Sequence, residues 1–228
     1  MDEVQSATPT RALTRPTLKT PRAAAIAGIV FSVLMIVILW LFRLSVPADP
    51  LDAGLWLQAH AQKVALAINL VPFAGIAFLW FLGALRDRLG AEEDRFFATV
   101  FFGSAILFLA MLFVASALTG AIILTSQVFP DALTNSATFP LSRAFVYGIM
   151  NVYAVKMAAV FMFSTATVVI YASFAPHWLA YLGYWLALVL LFGGGLLGWG
   201  LIVLPLWVLA ISVCLLRDHR RPETAQSV

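Results

Sequence analysis

The sequence predicts an all-α integral membrane protein, a bundle of about six transmembrane helices with both termini cytoplasmic, and three observations predict it. Of 228 residues, 62% are hydrophobic and only 11% charged, too few charges to clothe a water-facing surface. The apolar residues gather in runs near the ~20 residues a helix needs to cross a ~30 Å hydrocarbon core, where every backbone polar group must be satisfied within the segment. Lys and Arg collect between alternate runs, the bias that marks cytoplasmic loops. The formal charge is +3. Its basic residues sit at the ends of apolar runs and form no compact face, so they act as topological signals and not as a nucleic-acid surface.

Residues 1–22, rich in Thr, Pro and charge, read as a disordered basic arm. The first crossing is 23–44, apolar up to Arg43, whose aliphatic stem can snorkel to the interface. A basic tail before an apolar run also describes a signal peptide, with Val46-Pro47-Ala48 as its cleavage site, but this run exceeds a signal h-region and is taken as a crossing. Residues 51–63, with Leu51, Leu55, Trp56 and Ala59 near helical spacing, are expected to lie along the outer interface, with a plain loop as the alternative. The second crossing, 64–85, carries Asn69 and Pro72.

The third and fourth crossings, 96–124 and 144–172, are long enough to tilt or to project beyond the lipid. Between them, 125–142 contains Pro130, Asp131, Asn135 and Pro140 and is expected to be ordered by turns rather than by a helix. The last apolar stretch is too long for one crossing, and its glycines, from Gly193 to Gly200, offer the place to turn. It divides into 178–194 and 200–216, with a re-entrant segment as the alternative. A tail, 217–228, completes a chain whose transmembrane domain is 23–216. Arg11, Arg15, Lys19 and Arg22, then Arg86, Arg88 and Arg95, then Arg217, Arg220 and Arg221 fall on one side if there are six crossings. That side is the cytoplasm, in a multi-pass protein of the cell membrane.

Lys156 is the ionisable residue nearest the middle of a crossing, where insertion costs about 2.5–3.5 kcal/mol. It lies ~20 Å along the helix from the start of its run, too deep for its stem to reach the interface. No Asp or Glu stands between Asp131 and Asp218, nor in the apolar cores of the earlier runs, so a carboxylate partner from this chain is excluded. At 100° per residue Tyr153, Lys156, Ser164 and Thr167 share one stripe; Arg143, Tyr147, Asn151 and Thr165 form another on roughly the opposite side. Two polar faces place this helix inside the bundle. Asn69 is a cross-helix partner candidate, because Pro72 removes a backbone donor and frees a carbonyl near Asn69's turn. The candidate ligand-binding residues are therefore Lys156, Tyr153, Ser164, Thr167 and Asn69.

Gly83-Ala84-Leu85-Arg86-Asp87-Arg88-Leu89-Gly90, in the inner loop after the second crossing, resembles the Gly-x-Leu-x-Asp-Arg-x-Gly loop of the major facilitator superfamily. The resemblance implies a transport unit, since half of such a transporter is a six-helix bundle. It covers these eight positions; the family continues with basic residues where this chain has Ala91, Glu92 and Glu93. His60, His177 and His219 have no metal-ligand spacing, so no metal or other cofactor is expected. Cys214, the single cysteine, fits a small apolar helix residue. Ser116-x-x-x-Gly120 and Gly194/Gly198 are close-packing patterns. No Gly-x-Ser-x-Gly or His-Glu-x-x-His motif supports hydrolysis. The expected function is a non-enzymatic membrane module that binds or passes a small anionic or lipid-like ligand near Lys156. An accessory or assembly subunit of a larger membrane complex, or a homo-oligomer, comes second, and a membrane enzyme acting on lipids third.

Overall fold

The structure, a computed structural model, describes residues 20–47, 49, 52, 54, 56–86, 95–172, 175–193 and 200–218. Most of the N-terminal arm, positions 87–90 of the Gly83–Gly90 motif, the turn glycines Gly194, Gly195 and Gly198, and the tail from position 219 lie outside these.

The described residues form helices and short connections, with no strand. In order these are α1 (Thr20–Ser45), α2 (Trp56–Arg86), α3 (Arg95–Val128), α4 (Pro130–Thr134) and α5 (Thr138–Gly148), which continues through a π-helical segment (Ile149–Ala154) into α6 (Val155–Ala172). Then follow α7 (His177–Gly193) and a 3-10 turn (Gly200–Ile202) leading into α8 (Val203–Asp218). Five stretches are long and apolar enough to cross a membrane: Ala25–Ser45, Trp56–Arg86, Phe97–Val128, Thr138–Tyr171 and Gly200–Arg217. His177–Gly193, at 17 residues, is an apolar helix at the short limit for a crossing.

Two outer segments depart from the sequence reading. Residues from Trp56 to Lys63 are the first turns of α2 and not a separate interfacial segment. Trp56, Leu57 and Val64 are buried while Gln58, Gln62 and Lys63 are exposed, so the helix continues past the apolar run with one face covered. The 125–142 connection is largely helical. Pro130 opens α4, where a missing N–H leaves no bond unmade, and Asp131 sits in its first turn.

The helices close around an aromatic core. Phe78 of α2 packs against Phe31 of α1, Phe108 of α3 and Phe161 of α6, with ring centroids 4.7, 5.7 and 5.2 Å apart. Phe101 of α3 continues the stack onto Phe161 at 5.4 Å. Such pairs contribute about 0.5–1.5 kcal/mol each beyond the area they bury. α1 lies along α2 and α8, α3 bridges α2 to α6, and α6 carries α7. Small residues permit the closest approaches. A side chain at Gly28 of α1 would overlap Ser212 Oγ of α8, and one at Gly183 of α7 would overlap the Trp207 ring of α8. α8 runs antiparallel to α1, since the 3-10 turn before α8 meets α1 and Leu201 shares a cleft with Met35 and Phe42, while Ser212 lies against Gly28.

α5 packs chiefly on α3 and on the π segment, and meets α2 only at one end, where Phe139 shares a small apolar cluster with Trp56, Leu57 and Val64. The half of the bundle beyond the phenylalanine core is consequently not closed. A gap opens there between α1 and α2 on one side and α5 with the π segment on the other.

Candidate functional site

That gap is a cleft of about 270 Å³. It runs from mid-bundle, at Met35, Val71, Leu112 and Leu201, to Pro47, just past the end of α1, and Arg143 of α5. From Met35 to the end of α1 at Ser45 this is ten residues, or ~15 Å. The deep part is apolar, and the polar lining is Arg43, Ser116, Thr119, Arg143, Tyr147 and Asn151, with Trp56 near Arg143.

Arg143 organises that end. It is buried, 7% exposed, at the start of the fourth long run. Its Nη2 donates to the carbonyl oxygens of Pro47 at 3.1 Å and Asp49 at 2.9 Å, both in the connection from α1 to α2. Its Nη1 lies 3.6 Å from Asp52 Oδ1, and its guanidinium sits 5.6 Å from the Trp56 ring. Asp52 Oδ1 also accepts the Gly54 N–H at 2.9 Å. Gly54 has φ +85°, and a Cβ there would come within 2.6 Å of Phe139 Cζ, so this turn admits glycine on both counts. One arginine from α5 thus fastens the α1–α2 connection at Pro47, Asp49 and Asp52.

Hydrogen-bonding capacity remains. Arg143 Nη1 and Trp56 Nε1 are buried donors with no acceptor among the described residues. Ser116 and Thr119 donate to their own helix, to Leu112 O and Ala115 O, both at 2.8 Å, which leaves their oxygens as acceptors. Asn151 Nδ2 donates to Tyr147 O at 3.1 Å. Met150 and Asn151 reach the cleft from the π segment, a wide turn that changes side-chain phase within an otherwise α-helical span.

The structure separates the residues grouped in the sequence. Arg143, Tyr147 and Asn151 line one cleft wall together. Lys156 and Tyr153 are exposed on the bundle's outer surface, Tyr153 at 60%. Ser164 is buried, while Thr167 bonds Tyr184 Oη of α7 at 2.8 Å. Thr165, of the other stripe, is buried and bonds back to Phe161 O at 2.7 Å. Asn69 is exposed on α2 and makes no hydrogen bond with the described residues. The polar pocket expected around Lys156 is therefore built on the second stripe, and Lys156 does not line it. The fourth run is the most enclosed span, with 61% of its most apolar window buried against 39–50% elsewhere, yet its Lys156 face stays open. Sequence reading passed over Arg43, Trp56, Ser116 and Thr119 as site residues. The available signal was the pairing of Arg43 and Arg143 at the same outer ends. No family model, curated protein or solved structure matches this chain.

Proposed function

We propose that the protein is a non-enzymatic membrane module whose cleft takes a small amphipathic ligand, its anionic end at Arg143 and its apolar end toward Leu112 and Leu201. The observation that carries this reading is the buried Arg143 Nη1, a cationic donor without a hydrogen-bond acceptor among the described residues, at the polar end of an otherwise apolar cleft. A phosphate or carboxylate oxygen is the acceptor that suits a guanidinium best. Among the described residues the cleft is lined by no His, Asp or Glu, and the Ser116 and Thr119 hydroxyls donate to their own helix, which favours binding over acid–base or nucleophilic chemistry.

The same reading has six crossings with both termini in the cytoplasm. α6 and α8 supply the supporting geometry: α6 ends near the end of the bundle where α1 begins, whereas α8 starts beside the outer half of α1 and descends along it. α7 then returns the chain across the membrane, its ~26 Å tolerated by slight thinning of the bilayer. Arg86 and Arg217 end their helices at the cytoplasmic face. Exposed Trp80, Tyr171, Trp178 and Tyr181 make the aromatic belt on that side, and the cleft opens toward the opposite side.

Thermal unfolding in detergent with a series of ligands tests this reading. A single-chain alkyl phosphate at a hundredfold excess over its Kd is expected to stabilise by about 2.7 kcal/mol, or roughly 5–10 °C for a chain of this size. An alkyl trimethylammonium of equal chain length should give no shift. Methyl phosphate separates a lipid-like ligand from a free small anion, since only the latter would retain the effect without a chain. Ser116→Phe, which fills the cleft, should abolish the shift. Equal stabilisation by the cationic amphiphile, or a full shift in Ser116→Phe, would overturn the assignment.

A further inference from the structure

We infer that the exposed face of α6 around Lys156 docks a transmembrane helix of a different protein, one that carries a carboxylate at mid-depth. Lys156 follows Arg143 by thirteen residues, ~20 Å along the helix, and precedes Tyr171 by fifteen, ~22 Å. Arg143 marks the outer end by its bonds to the α1–α2 connection, and Tyr171 is exposed near the inner end. Lys156 is therefore close to the middle of the span, where its stem cannot carry the ammonium to either interface. It is exposed and has no hydrogen-bond or ion-pair partner among the described residues. A lysine in that position facing acyl chains carries the full insertion penalty, so the face is a protein contact.

Charge complementarity identifies the occupant. The chain's 11 Asp and Glu residues all fall outside its apolar runs, so a second copy brings no carboxylate to the depth of Lys156. Lipid phosphates lie at the interface, ~15 Å from the centre of a ~30 Å core. A carboxylate within a partner's helix meets Lys156 directly and neutralises both charges in a medium of low dielectric. The contour suits a helix as well. Tyr153, Lys156, Val160 and Phe163 are partly or fully exposed at spacings of three, four and three residues, the seam along which two helices pack at a shallow angle. Farther along the same seam α7 already occupies it: Phe163 packs on Tyr184 with ring centroids 4.6 Å apart, and Thr167 bonds the same tyrosine. The partner helix would extend that arrangement to Lys156 and Tyr153. This inference does not depend on the cleft, whose lining excludes Lys156.

The test co-reconstitutes the full chain in phosphatidylcholine vesicles with a labelled single-span Leu/Ala helix bearing one central Glu, and separately with its Gln and Lys counterparts, and reads energy transfer. The Glu helix is expected to associate at least tenfold more tightly than the Gln helix. Lys156→Met should reduce it to the Gln level, and Lys156→Glu should transfer the preference to the Lys helix. Lys156→Met deletes no hydrogen bond or ion pair among the described residues, so its melting temperature in detergent should stay within a few degrees and keep the comparison valid. Equal association of the Glu and Gln helices, or a Glu preference that survives Lys156→Met, would refute the inference. Transfer between differently labelled copies of the chain that is lost in Lys156→Met, with no Glu preference, would refute it too, in favour of self-association.

Discussion

Arg143 and Lys156 stand thirteen residues apart on one continuous helical span, yet the fold treats them oppositely. Arg143 is buried and held by two carbonyls, a carboxylate and an indole ring; Lys156 is exposed and held by nothing described. The difference follows from depth. At the outer end a loop can fold down over the helix, and its unpaired carbonyls are the acceptors a buried guanidinium requires. At mid-depth every carbonyl of a regular helix is already bonded, so only a side chain or another molecule can serve. The chain answers much of the first demand with the α1–α2 connection; for the second, the described residues offer Lys156 no acceptor.

The largest effect should come from breaking the bonds that Arg143 does make. Arg143→Met deletes two charge-assisted bonds and leaves Asp52 with the Gly54 N–H alone, and should lower unfolding stability in detergent by about 2–3 kcal/mol while abolishing the alkyl phosphate shift. Arg143→Lys keeps the charge, but a single ammonium cannot address both carbonyls and Asp52 while lying by the Trp56 ring. It should lose about 1–1.5 kcal/mol on the same measurement. A lysine variant as stable as the parent would mean that charge alone, and not the guanidinium fork, holds the connection.

The two sites were unequally legible in the sequence. The apolar runs announced the spans because lipid imposes a length on any helix that crosses it. Helix ends were less legible: α2 reaches Trp56 because a helix with one covered face continues into water, which a hydropathy threshold does not detect. Helical phase put Arg143, Tyr147, Asn151 and Thr165 on one stripe; the first three line the cleft and Thr165 does not. Which stripe faced inward could not be read, since both mix polar and apolar residues. The partners of Arg143 lie 94 and 96 positions away in sequence. Nothing in Ile149–Ala154 signals a π turn, so the phase between the stripes was unpredictable locally.

A smaller change sharpens the account of Arg143. Asp52→Asn keeps an oxygen for the Gly54 N–H and removes only the charge. At 3.6 Å, with Asp52 27% exposed, the ion pair should contribute no more than about 0.5–1 kcal/mol. That difference should shrink as salt is raised, whereas the loss in Arg143→Met should persist because carbonyl bonds are little screened.

The smallest effect is expected at Lys156, and its smallness is informative. If the side chain has no partner within the chain, Lys156→Met should leave unfolding stability in detergent unchanged to within about 0.5 kcal/mol, because micelles hydrate an exposed ammonium and no internal bond is lost. Membrane insertion should respond differently, since replacing a mid-span lysine by an apolar residue removes a penalty of about 2.5–3.5 kcal/mol. A glycosylation-based insertion assay of the fourth span alone should register that gain. A loss of more than about 1 kcal/mol in detergent would show that Lys156 holds the bundle together, as Arg143 does, and the contrast between the two cations would fail. A silent substitution in detergent combined with easier insertion means that the lysine burdens this chain alone, and that its counter-charge lies on another molecule.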